Sequence, residues 1–317
     1  MEEAKYLSTG RIRHFLFKFN TPRRIVQLFS FIFFSAIIFN LGVLPFLLPV
    51  LWTWLPHSLA QNTVGDAFTV IQLTFYNGIF PWLAFASFFI TGILIGKSLC
   101  GWVCPFGFIQ DLTMFIKKRK LEVSPRTHDT MLYVKYVGLA IVLFISITFS
   151  ASKVMGLSSG YESALGIFVK APFSAISPAQ TLFSTLPTMA LNFKSAIGIS
   201  SYSDILAGVG KLSSLFWTQL IFLIIVLAIM VYVPRGFCKY LCPHGALMAI
   251  MNKFSFIGLK REPTKCARVG CRKCVEVCPM RVPILDLPWE KFSHQECIYC
   301  MKCADACENK AIKLTYP

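Results

Sequence analysis

The residues able to do chemistry in this chain are its twelve cysteines, and all of them fall in motifs. Eight lie near the C-terminus, in "CARVGCRKCVEVCP" (Cys266, Cys271, Cys274, Cys278) and "CIYCMKCADAC" (Cys297, Cys300, Cys303, Cys307). The other four form two copies of C-x3-C-P, Cys100 with Cys104 and Cys238 with Cys242. Cysteines so spaced either pair as disulfides or bind soft metals as thiolates. The distribution of charge puts them on the cytoplasmic side, where thiols stay reduced, so metal binding is the expected chemistry. No C-x-x-C-H occurs, which excludes a covalently attached c-type haem. The five histidines (His14, His57, His128, His244, His294) leave no pair of mid-span ligands for a b-type haem. There is no glycine pattern for a nucleotide.

The C-x2-C-x2-C-x3-C run resembles that of bacterial ferredoxins, in which tight loops deliver three thiolates to one cluster and the fourth cysteine crosses to the other. That resemblance implies one 4Fe-4S cluster on Cys266, Cys271, Cys274 and Cys307, and a second on Cys297, Cys300, Cys303 and Cys278. Two departures stand out: the first quartet opens with x4, read as an insertion outside the tight turns, and Glu308 follows Cys307 where proline is usual. Two structural zinc sites are the alternative, since C-x2-C pairs also bind zinc. The interleaved pattern, used twice, favours the ferredoxin reading.

The elements that position these cysteines are hydrophobic. Of 317 residues 55% are hydrophobic, 30 are Phe, and mean hydropathy is +0.61, too apolar for a soluble domain. Crossing a hydrocarbon core of about 30 Å takes roughly 20 apolar residues as a helix. Four runs qualify, at 25–48, 79–96, 132–150 and 215–233; the third contains Lys135, read as snorkelling to the interface. The net charge of +16 is a matter of topology: six Lys/Arg precede the first run, six separate the second from the third and fourteen follow the fourth. The connections 52–78 and 151–214 hold none and four. Both termini and the 97–130 loop are therefore expected in the cytoplasm, in a multi-pass protein of the prokaryotic inner membrane. No basic stripe interleaved with aromatics appears, which argues against nucleic acid. The first run exceeds a signal-peptide core and lacks a cleavage site, so it is expected to be retained. The basic, aromatic stretch "RIRHFLFKFNTPRR" is expected on the membrane surface, 57–78 as a short outer loop with room for one amphipathic turn, and 180–193 as an interfacial or re-entrant helix.

Aligning Lys97 with Arg235 reveals a repeat, [KR]-x2-C-x3-C-P-x-G, closing a pair of spans in each half. The fold class expected is a mainly α membrane protein whose four transmembrane helices form a pseudo-symmetric pair of hairpins, followed by a small two-cluster ferredoxin-like α+β domain. Its divisions are a basic tail (1–24), a four-span membrane domain (25–259) and a cytoplasmic ferredoxin-like domain (260–317). Two cysteines cannot complete a four-thiolate site alone, so Cys100, Cys104, Cys238 and Cys242 are expected to pool around a third iron–sulfur cluster; a dithiol is the alternative. Lys97 and Arg235 offset its charge, or serve as plain positive-inside anchors.

With C-x3-C-P twice after apolar runs and eight further cysteines at the C-terminus, the chain resembles the NapH/MauN-type membrane ferredoxins over residues 20–310. The membrane half of the NosR regulators and the CcoG-type assembly proteins share the theme. The resemblance implies an inner-membrane protein passing electrons between membrane quinol and a respiratory or maturation partner, a haem or iron–sulfur subunit. Quinol releases two electrons and two protons, so the site needs proton acceptors near a cluster. Asp111 and His244, each beside a C-x3-C-P motif, are the candidate catalytic residues; a helix cap or surface role is the alternative. Reverse flow, from a soluble ferredoxin to quinone, and a CcoG-type assembly role are the competing functions, since cluster potentials span about −700 to +450 mV.

Overall fold

The computed structural model describes residues 20–34, 67–114, 116, 124–169, 172–173, 175–186, 214–267 and 270–316. In chain order its principal helices are α1 (Asn20–Phe34), α2 (Ala67–Tyr76), α3 (Trp82–Ile95), α4 (Ser98–Trp102), α5 (Pro105–Thr113), α6 (Pro125–Val154), α7 (Ser158–Leu165), α8 (Ser214–Tyr232) and α9 (Pro243–Asn252). Two one-turn helices follow, α10 (Lys273–Glu276) and α11 (Lys302–Asp305). Strands β1 (Gly258–Arg261), β2 (Lys291–Phe292) and β3 (Ile312–Thr315) form an antiparallel sheet in the order β2-β1-β3, with Leu259 opposite both Phe292 and Leu314. Proline opens α5, α6 and α9, where its missing N–H costs nothing and its fixed φ suits the first turn. Contacts divide the chain into two compact units.

The first unit comprises the described residues of 1–31, 89–112 and 245–317. Within it the cysteine-rich segment meets α4 and α9, Trp102 Nε1 donating to Tyr299 O at 2.9 Å and Asn252 Nδ2 to Cys297 O at 2.8 Å. Helix α1 is amphipathic with its polar face inward: Arg23, Gln27 and Ser30 are buried at helical spacing while Ile25, Val26, Leu28 and Phe29 are exposed. Asn20–Arg24, expected to lie on the membrane surface as the end of the basic tail, instead form the first turn of this helix, with Arg23 fully buried.

The second unit comprises the described residues of 32–88 and 113–244. Its long helix α6 presents Lys135, Leu139, Val142, Ser146 and Phe149 inward, a stripe advancing by four and three residues, and leaves Val134, Val137, Ile141, Phe144 and Ile147 exposed. Lys135 does not snorkel; it is fully buried on that stripe, its Nζ 5.2 Å from the Tyr136 ring centroid. Among the described residues α6 is the one helix long and apolar enough to cross a membrane. Helix α3, with 14 residues, and the apolar stretch Phe216–Tyr232 of α8 are shorter, and residues 35–48 of the first expected span lie outside the described residues. The expected outer loop at 57–78 contains the ten-residue helix α2, with Phe68 and Ile71 fully buried. Helical turns occupy 178–186 as expected, and 187–193 lie outside the described residues.

Candidate metal centre

The cysteine-rich segment folds as two similar loops. After each fourth cysteine the chain turns through a left-handed residue, Arg281 (φ 55) and Lys310 (φ 50), so that the N–H four residues past the cysteine donates to its sulfur. Val282 N lies 3.4 Å from Cys278 Sγ and Ala311 N 3.3 Å from Cys307 Sγ. Such N–H···S bonds stabilise thiolates and tune a cluster's potential.

Burial pushes the Cys303 thiol well up, and charge on Cys300, Cys297 and Cys278 adds to the shift. Burial likewise raises Cys297, with Lys97 pulling the other way. Burial raises Cys274, and charges on Cys271 and Cys266 add to it. Asn309 Nδ2 donates to Lys265 O at 2.9 Å, and Lys273 pairs with Glu308, which tie the Cys307 turn to the Cys266 and Cys274 loops. A hollow is lined by Cys278, Cys297, Cys300 and Cys303 with apolar Leu259, Met280 and Phe292. Among the described residues no three His, Cys, Asp or Glu side chains close on one point as a single ion would need. A 4Fe-4S cubane takes each thiolate on a different iron, and four thiols around an apolar hollow fit it.

The first C-x3-C-P motif is built into this unit. Gly96 (φ 57) ends the apolar helix, α4 carries Cys100 into the core, and Pro105 opens α5. Cys100 shares one buried apolar cluster with Cys300, Cys303, Leu259 and Met301. Lys97, expected to offset charge at its own motif, reaches elsewhere: its Nζ lies 2.9 Å from Glu296 Oε2, both buried, beside Cys297. Asn252, also fully buried, donates to His294 O (2.7 Å) and Cys297 O (2.8 Å) and accepts from Lys97 N (2.8 Å). Asp111 is bound by Arg23, by Arg24 (3.4 Å) and by Gln27 Nε2 (3.2 Å), while Arg23 Nε and Gln27 Nε2 each donate to Gly101 O at 2.9 Å. A carboxylate held by two guanidinium groups is a poor proton acceptor; here it fastens α1 to the motif.

In the second unit the other copy repeats this local geometry. Cys242 N donates to Phe237 O (2.9 Å) as Cys104 N does to Leu99 O (3.0 Å), an i→i−5 bond at the same place in each motif. Cys238 and Cys100 are buried, Cys242 and Cys104 half-buried, and Arg235, like Lys97, is fully buried. Cys238 lies in a π-helical turn, Phe237–Leu241, whose Tyr240 hydroxyl is 2.7 Å from His128 Nδ1. His244 is buried, edge-on to Phe88 at 5.3 Å between ring centroids. Spacing alone did not point to Arg23, Gln27, Asn252, Glu296 or the His128–Tyr240 pair.

Comparison with known proteins agrees with this geometry. A 4Fe-4S binding domain model matches twice, at residues 77–123 and 215–262, once over each C-x3-C-P copy, and a 4Fe-4S dicluster domain model matches 265–312. The chain thus carries matches to 4Fe-4S binding domains over all three of its cysteine groups. Its relatives include an uncharacterized protein of Methanocaldococcus jannaschii, 28% identical over 232 residues (71% of this chain, 74% of that one). The putative electron transport protein YccM of Escherichia coli is 25% identical over 229 residues (71% and 52%). The ferredoxin-type protein NapH of Escherichia coli is 25% identical over 233 residues (70% and 63%), in line with the resemblance drawn from the motifs. No solved structure matches.

Proposed function

We propose that this protein is a multi-pass relay in the prokaryotic inner membrane, both termini cytoplasmic, that oxidises membrane quinol and passes the electrons to a redox partner subunit. The observation that carries this reading is the packing of Cys100, from a motif at the end of an apolar helix, in one core with Cys300 and Cys303. Electrons then have a short path between the edge of the membrane and the ferredoxin loops. The inverted faces of α1 and α6, with Arg23, Gln27 and Lys135 inside and large apolar residues outside, suit helices that meet lipid and support the four-span topology.

Under this reading Cys266, Cys271, Cys274 and Cys307 hold one 4Fe-4S cluster, and Cys278, Cys297, Cys300 and Cys303 the other. Each C-x3-C-P copy supplies two thiols, so a third cluster needs Cys100, Cys104, Cys238 and Cys242 together, with Arg235 supplying positive charge. With Asp111 committed to arginine, the proton acceptors left are His244 and His128, the latter already bonded to Tyr240 beside Cys238 and Cys242.

Anaerobic mixing of the purified protein with a quinol analogue, followed by visible and EPR spectroscopy, tests the reading. Reduction of the clusters by quinol is the expected result. Reduction only by a soluble reduced ferredoxin would reverse the direction, and no response to either would favour an assembly role.

A further inference from the structure

The two C-terminal quartets have different surroundings within the first unit. Around the first, Cys271 is exposed and the Lys273–Glu308 pair stands in solvent. Around the second, Cys300 and Cys303 are buried with Cys100. The loop between Cys297 and Cys300 is held against the first C-x3-C-P motif at successive residues. A Cβ on Gly101 would lie 2.2 Å from Ile298 O, so the α4 backbone rests directly on that carbonyl. Trp102 Nε1 donates to Tyr299 O at 2.9 Å. Asn252 bridges Cys297 O and Lys97 N, and the Lys97 ammonium pairs with Glu296 next to Cys297.

We propose that Lys97, with Asn252 and Trp102, clamps the Cys297 loop onto the first C-x3-C-P motif. The thiolates of Cys278, Cys297, Cys300 and Cys303 thereby become the membrane-side end of the relay, and those of Cys266, Cys271, Cys274 and Cys307 its solvent-side port. The assignment rests on the reading that both quartets hold 4Fe-4S clusters. Each transfer moves one electron between the quartets; at the port a soluble one-electron carrier protein gains or loses that electron, and no bond or proton changes place on these residues. Lys97 is a positioning residue with an electrostatic effect. Its charge, fully buried, favours an added electron nearby, and the Glu296 carboxylate disfavours it.

The experiment is an anaerobic redox titration of the full chain followed by EPR, with iron counted in each preparation. The variants are Lys97→Gln, Lys97→Arg, Glu296→Gln and Cys271→Ser. Lys97→Gln is expected to make one C-terminal cluster harder to reduce and Glu296→Gln to make the same one easier. Each effect is about tenfold in the reduced-to-oxidised ratio, which is 59 mV for one electron. Lys97→Arg restores the original potential, and the signal that moves is not the one altered by Cys271→Ser. Shifts of the same sign, no shift, or movement of the signal that Cys271→Ser alters would each overturn the assignment. Should Lys97→Gln fail to assemble, the Glu296→Gln shift alone decides it. An unsubstituted protein without any iron–sulfur signal would instead sink the cluster reading beneath it.

Discussion

Replacing Asn252 with Ala removes a small side chain that makes several of the bonds holding the Cys297 loop. Its amide donates to His294 O and Cys297 O at 2.7 and 2.8 Å and accepts from Lys97 N at 2.8 Å. Each net hydrogen bond contributes about 0.5–1.5 kcal/mol, so three lost together weaken the loop by about 1.5–4.5 kcal/mol. Since 1.4 kcal/mol is a factor of ten, local opening becomes roughly 10- to 1,000-fold more frequent. Amide hydrogen exchange read by mass spectrometry reports this directly in peptides covering 294–300. Those covering 266–278 should keep their protection, because Asn252 makes none of these bonds there. An increase below about threefold in 294–300, or an equal increase in both segments, would refute the reasoning that this amide joins motif to loop.

Arg23→Met leaves Asp111 buried without its main partner, and breaking a buried pair in this way costs about 3–5 kcal/mol. A lowered thermal midpoint in detergent is expected, partly recovered by adding Asp111→Leu. Gly101→Ala forces a methyl group to 2.2 Å from Ile298 O, so the Cys297–Cys300 turn must move. Elemental analysis should show a loss of about four iron per chain, the content of one cubane. Glu262 is held down to about 2 by Lys265 and Lys313, from an ordinary value of 4.5. With its folded value depressed, its stabilising contribution is in place above pH 4.5 and disappears as pH falls toward 2. The stability difference between wild type and Glu262→Gln, followed by thermal melts across pH, should therefore be present at pH 7 and close over that acid range.

Much of the metal centre was legible in the sequence because its ligands are local. The x2 and x3 spacings dictate which thiols a tight loop can deliver together, and Cys278, Cys297, Cys300 and Cys303 line one hollow. The rest depended on partners distant in the chain. Asp111 read as a proton acceptor because Arg23, which binds it, lies 88 residues away and no periodicity connects the two. Lys97 read as support for its own motif, yet Glu296 is 199 residues further on. Lys135 read as snorkelling because it sits near the start of an apolar run; only the inward stripe of α6, fixed by packing, turns it to the interior.

The account rests on the cysteines holding iron–sulfur clusters, so metal content is its most direct test. Iron, acid-labile sulfide, zinc and copper should be measured per chain on anaerobically purified protein. Three four-iron cubanes predict about 12 iron with matching sulfide, and about 8 would confine clusters to the C-terminal quartets. Zinc in place of iron, or protein that folds with neither iron nor sulfide, would contradict the account.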